Sequence, residues 1–174
     1  MQAKSGLYIG ETGETSIGKL WLAVSDLGLV AVEEGLTRDE FETYLLKRFK
    51  RPVEYAPPRI REAAGQIESY LSGLQQTFTL VIDWTVLRPF QQAALQATYE
   101  IPHGETRTYK EIAERIGRPH AARAVGRAEA TNPMPLVIPC HRVIGADGKL
   151  HGYGLAEGVK TKEWLLKMEG AIMA

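Results

Sequence analysis

The chain has 174 residues, 44% of them apolar and 24% charged, which suits one domain or two small lobes and excludes a disordered or collagen-like chain. With 21 basic and 21 acidic residues its net charge is zero, so overall charge names no partner. A single cysteine, Cys140, rules out an intramolecular disulfide and any mechanism needing a second thiol in the same chain.

The opening "MQAKSGLYIG" has no apolar signal-peptide core, and no stretch approaches the length of a membrane span, so a cytoplasmic protein with no membrane partner is expected. "GKLWLAVS" (18–25) alternates Leu20, Leu22 and Val24 with Lys19, Trp21 and Ala23, the period of a strand. "GLVAVE" (28–33) follows after Asp26-Leu27-Gly28, a spacing that predicts a hairpin. In "TRDEFETYLLKRF" (37–49), Thr37 and Glu40 have the spacing of a capping box, and Phe41, Tyr44, Leu45 and Phe49 recur on one helical face. After "APP", the spacing of Ile60, Ala64, Ile67, Tyr70 and Leu71 predicts a second helix over 59–74. "TFTLVIDW" (77–84) reads as a strand with Asp83 facing solvent. No catalytic constellation is visible in this first half.

From Phe90 the pattern becomes helical. "FQQAALQATYEI" is broken by "PHGE", and "TYKEIAERIG" (108–117) then places Tyr109, Ile112, Ala113 and Ile116 on one face. "HAARAVGRAEA" (120–130) follows a short Gly-containing turn, so the pair has the helix-turn-helix plan over about 108–130. Within 107–127 there are six basic residues against two acidic ones, a local basic face suited to an anionic partner or, equally, to a solvated helix surface. Ala121, Ala122, Ala124, Gly126 and Ala128 leave the second helix nearly bald except for Arg123 and Arg127. Such a surface does not read bases in the major groove, but it can approach a minor groove closely or pack tightly on a neighbour. "LVIPCHRVI" is expected to be buried and partly extended, before the loop "GADGKLHGYGLAEG" (145–158) and a last helix, "KTKEWLLKMEG".

A free cysteine after an apolar run is often an inert core residue. Here His141 and Arg142 follow at once, with Asn132, Tyr153 and Glu169 within thirty residues. Neighbours in extended chain point to opposite faces, so a direct Cys140–His141 pair is disfavoured and a relay through water is the alternative. The spacing of Cys140 with His103, His120, His141 and His151 matches no common zinc site.

"GETRTYKEIAERIG", "AARAVGRA", "NPMPLVIP", "IPCHRVIG", "GYG" and "KEWLLKMEG", in chain order, resemble the O6-alkylguanine-DNA alkyltransferases, the methylated-DNA–protein-cysteine methyltransferases of direct repair. The first half is similar only in "IGKLWLAVSDLGLVAV" and "IESYLSGLQQTFTL". The resemblance implies an α+β protein: a ribonuclease H-like α/β lobe over 1–87, then a mostly helical DNA-binding and alkyl-acceptor domain over 88–174. It implies single-turnover, irreversible transfer of the alkyl group of O6-alkylguanine to Cys140, with O4-alkylthymine as a second candidate substrate. The partner would be double-stranded DNA met from the minor groove, the protein a monomer, and no cofactor required. His141, backed by Glu169, would take the cysteine proton through water. Tyr109 would donate to guanine N3, and Arg123 would fill the place of the extruded base. Ala122 and Gly126 would lie against DNA, and Asn132 would tie the second helix to "PCHR". Carbonyls near Cys140 and Val143 would accept from the exocyclic amine, while Tyr153 and Gly154 would line the pocket. The stretch from Tyr153 to Lys162 departs from the common pattern by about two extra residues, which leaves the O6 contact near Gly154 unassigned. Some relatives hold zinc in the first lobe; this chain has no Cys and no His before His103, so no metal is expected.

Two rivals belong to other classes. A lesion-binding relative without transferase activity would lack the acceptor cysteine, and a transcriptional regulator would carry base-reading side chains on the second helix.

Overall fold

The computed structural model describes residues 5–174. Its chain divides into two units, Met1–Val86 and Leu87–Ala174. In the first, β1 (Leu7–Glu11), β2 (Leu20–Ser25) and β3 (Gly28–Glu34) run antiparallel, and β4 (Val53–Tyr55) lies parallel to β1, giving the order β3-β2-β1-β4. The β2–β3 hairpin forms where the spacing predicted it, with Ser25 opposite Gly28. Gly28 has φ +141, and a Cβ there would meet the Val81 carbonyl oxygen at 2.5 Å, so only glycine fits.

Helix α1 (Arg38–Phe49) starts at the Thr37–Glu40 capping box: Thr37 Oγ1 accepts from the Glu40 amide, and the Thr37 amide donates to Glu40 Oε2. Its Phe41, Leu45 and Phe49 pack with Leu7, Ile9, Trp21, Ala23 and Ala31 in one apolar cluster. Strand β2 is buried on both faces, Leu20, Trp21, Leu22 and Ala23 all lying inside. The sheet therefore has cover on each side at this strand. A 3-10 turn at Pro57–Ile60 leads into α2 (Arg61–Leu71), which buries Ala64, Ile67, Tyr70 and Leu71.

The reading of 77–84 as a strand is corrected. Only Ile82 makes a bridge, to Leu29, and a 3-10 turn begins at Trp84. The reason is Asp83, which is 1% exposed instead of facing solvent. Its carboxylate accepts from Ser25 Oγ at 2.6 Å and from the Thr85 amide at 3.1 Å, with Arg51 at 3.5 Å. A buried carboxylate that caps its own turn cannot continue a ladder.

In the second unit, α3 (Pro89–Tyr99), α4 (Tyr109–Arg115) and α5 (Ala122–Ala130) pack around Ala97, Ile101, Ile112, Ala113, Val125 and Val143. Helix α4 starts at its own capping box, Thr108–Glu111. Both α4 and α5 are shorter than the periodicity suggested, and residues 116–121 link them with Gly117 at φ +72. Strands β5 (Arg107–Thr108) and β6 (Val143–Ile144) pair in parallel, and α6 (Val159–Met168) closes the unit. The whole is α+β.

Candidate active site

Cys140, His141 and Arg142 form one buried 3-10 turn and not the extended segment expected, so the argument from alternating faces does not apply to them. The turn is set from both sides. Asn132, two residues past α5, donates from Nδ2 to the Ile138 carbonyl at 3.0 Å and accepts from the Met134 amide at 2.9 Å. Between these anchors Leu136, fully buried, holds a left-handed backbone at φ 74, a conformation that costs on the order of 1–3 kcal/mol outside glycine and persists only where its surroundings fix it.

Behind the turn lies a charge-paired network. Glu169 Oε1 sits 2.9 Å from His141 Nε2 and accepts from Arg142 Nη2 at 2.7 Å, while Oε2 accepts from Arg142 Nε at 2.8 Å. Arg142 Nη1 also donates to the Ile101 carbonyl at 2.6 Å. The forked guanidinium gives the Glu169 carboxyl two parallel hydrogen bonds. Burial pushes the His141 imidazole below its ordinary range, although Glu169 opposes the shift. His141 is thus neutral at pH 7, with Nε2–H donating to the carboxylate and the lone pair on Nδ1.

Cys140 lines a cavity of about 260 Å³ together with Tyr109, Gly126, Glu129, Ala130, Gly152, Tyr153 and Gly154. Gly126, Glu129 and Ala130 belong to the bald helix, so the sulfur opens toward α5 and is not sealed in hydrocarbon. Tyr153 stands edge-on to His141, ring centroids 6.4 Å apart. On α5, Arg123 and Arg127 are exposed, while Ala122 and Gly126 are half-buried. Val143 is fully buried and outside the cavity lining, its carbonyl accepting from Lys162 Nζ at 2.7 Å.

Burial pushes the Cys140 thiol up to about 12, with Glu129 adding to the effect and the Asn132 amide and Lys162 opposing it. The resting sulfur is therefore a thiol. Tyr109 is likewise held protonated, its hydroxyl pushed up to about 12 by burial and by Glu129.

Arg142 is noted in the sequence reading beside Cys140 without a role, while Glu129 and Lys162 escape it. Each left a signal. Glu129 falls one turn after Val125 on the inner face of α5, and Lys162 precedes Leu165 and Leu166 on the inner face of α6. A charged residue in register with an apolar stripe is buried for a reason.

Burial raises the Glu129 carboxyl from its ordinary 4.5 to about 8, with the Thr98 hydroxyl and Lys162 opposing. The folded protein thus keeps a proton that the unfolded chain releases. Stability from this group is complete below about pH 4.5 and is lost as pH rises toward 8. Thermal melts across that window should show the native chain losing several degrees relative to Glu129→Gln, about the effect of a few kcal/mol in a domain of this size. Parallel curves would contradict the buried acid.

Residues 89–171 match the family model described as 6-O-methylguanine DNA methyltransferase, DNA binding domain. The chain is 44% identical over 162 residues to the methylated-DNA–protein-cysteine methyltransferase of Methanosarcina barkeri, covering 90% of this chain and 93% of the relative. It is 38% identical over 163 residues to that of Salmonella typhimurium, covering 91% and 94%. The crystal structure of Mycobacterium tuberculosis O6-methylguanine methyltransferase is similar at TM-score 0.75 and 36% identity, over 95% of this chain and 93% of that one. The M. tuberculosis protein in complex with DNA is similar at TM-score 0.73 and 36% identity, over the same shares of both chains. The chain belongs to the methylated-DNA–protein-cysteine methyltransferase family.

Proposed function

We propose that this protein repairs O6-alkylguanine in DNA by moving the alkyl group onto Cys140, irreversibly and once per molecule. One observation carries the reading: the chain's sole thiol lines a cavity walled by the bald helix. The family relationship supports it, and the similar M. tuberculosis protein is a DNA complex in its crystal structure.

An alkyl carbon on O6 is a soft electrophile, for which sulfur is the best protein nucleophile. Sγ attacks that carbon, the S–C bond forms as the C–O6 bond breaks, and the electron pair passes to O6 and the purine ring. The Cys140 proton leaves through a water to neutral His141, which Glu169 orients and stabilises as it becomes charged. At its raised pKa of about 12 only about one thiol in 10⁵ is ionised at pH 7. A buried, protonated thiol is a poor target for casual oxidation. Tyr109, protonated at all physiological pH, donates to N3 of the departing guanine. The Val143 carbonyl has a second lone pair for the base's amine beside its bond from Lys162.

The reacting carbon lies inside the base stack, so the nucleotide must be extruded. Helix α5 enters the minor groove: Ala122 and Gly126 allow close approach, and exposed Arg123 fills the vacated place. Asn132 keeps that helix in register with the Cys140 turn. The first unit's order β3-β2-β1-β4, with β4 alone parallel to β1, supports a ribonuclease H-like lobe over 1–87, followed in the chain by a DNA-binding and alkyl-acceptor domain over 88–174. The protein works as a monomer in the cytoplasm; no described helix is long and apolar enough to cross a membrane.

A thioether is not hydrolysed, and no other thiol is present to remove it. Mixed with excess O6-methylguanine duplex, the protein should restore guanine in one burst equal to its own amount and then stop. Continued turnover would refute the stoichiometric reading.

A further inference from the structure

The mechanism above makes no use of Glu129. This residue is 6% exposed and lines the same cavity as Cys140. Its Oε1 meets the Thr98 hydroxyl on α3, while Oε2 has no hydrogen-bond partner among the described residues. Thr98 owns one hydroxyl hydrogen but has a second acceptor in reach, the Ala94 carbonyl at 3.0 Å, the usual back-bond of a helical threonine. An ionised Glu129 would compete for that hydrogen. A proton on Oε1 resolves the conflict: the acid donates to Thr98, and Thr98 donates to Ala94. Oε2 is then a buried carbonyl oxygen on a residue that lines the cavity, an acceptor with no donor among the described residues.

For packing alone this is a poor choice of residue. A leucine or methionine would fill the same wall without stranding a buried acceptor, and elsewhere α5 is made of alanine, glycine, valine and arginine. The stranded oxygen points to a donor on the ligand. The reacting carbon must touch the sulfur, so whatever extends from that carbon enters the space that Glu129 and Cys140 share.

We infer that Glu129, as a neutral acid, determines specificity for the transferred group: Oε2 accepts a hydrogen bond from a hydroxyl on a short O6-alkyl substituent such as 2-hydroxyethyl. The inference rests on the alkyl-transfer reading. The groups facing Glu129 are Thr98 from α3, Tyr109 from α4, Cys140, and Lys162 from α6. Burial outweighs the Lys162 cation and keeps the acid protonated through neutral pH.

The test uses the full chain at pH 7 and three duplexes, carrying O6-methyl-, O6-propyl- and O6-(2-hydroxyethyl)guanine. Propyl and hydroxyethyl have the same shape and differ in the hydroxyl alone. Single-turnover rates should give a hydroxyethyl-to-propyl ratio that falls about tenfold in Glu129→Leu, the worth of one hydrogen bond to a neutral group. In Glu129→Gln, whose amide still donates to Thr98 and still offers a carbonyl, the ratio should stay within about twofold of the native one. A ratio taken within one protein is insensitive to any fraction that fails to fold. If methyl is transferred normally and the ratio is the same in all three proteins, Glu129 is structural and the inference is overturned. If the native protein transfers no methyl at all, the alkyl-transfer reading falls, and this inference with it.

Discussion

Cys140→Ser should abolish repair of O6-methylguanine duplex while leaving duplex affinity within about twofold, because the proposed function assigns DNA binding to α5 and not to the sulfur. Serine fits the Cys140 site sterically, and the turn is held by backbone and Asn132 bonds that the change leaves alone. What is lost is nucleophilicity: an alcohol is several units less acidic than a thiol and far less reactive toward carbon. The rate should drop by at least about 10⁴, the scale of losing a nucleophile outright. Gel-shift binding alongside a guanine-restoration assay checks both halves. Retained repair would mean that another group takes the alkyl.

Arg123→Ala should slow repair in duplex about 100-fold, since an extruded base leaves a gap whose cost is a few kcal/mol and each 1.4 kcal/mol is tenfold in rate. Arg123 is exposed on α5 and absent from the cavity lining, so reaction with free O6-benzylguanine, which needs no extrusion, should change by no more than about twofold. The contrast between the two substrates is the informative quantity. Equal slowing of both would place Arg123 in the chemistry or in folding and not in the stack.

What the amino-acid string discloses here depends on whether the deciding interaction is local. The Thr37–Glu40 box and the Ser25–Gly28 hairpin are decided within a few residues, and both form as the spacing predicts. The fate of 77–84 turns on Asp83 meeting Ser25, 58 residues away, which no window of periodicity contains. Strands β1 and β4 are short and pair across more than forty residues, so they too escape a local reading. At the site, Cys140, His141, Asn132, Tyr109, Tyr153 and Glu169 are singled out because the motifs around them, in chain order, resemble those of a known family. The 3-10 turn that joins Cys140 to His141 is not legible, because an apolar run before proline looks extended. Arg142 is legible as a polar neighbour of the cysteine, but its fork on Glu169 closes across 27 residues and is not.

The central claim is that the alkyl carbon ends up on one sulfur. A duplex bearing O6-([²H₃]methyl)guanine, incubated with the protein and followed by peptide mass spectrometry, tests it directly. The account predicts the deuterated methyl on the peptide containing Cys140, in an amount equal to the guanine restored. Guanine restored without that adduct, or the label carried by any other residue, would contradict it.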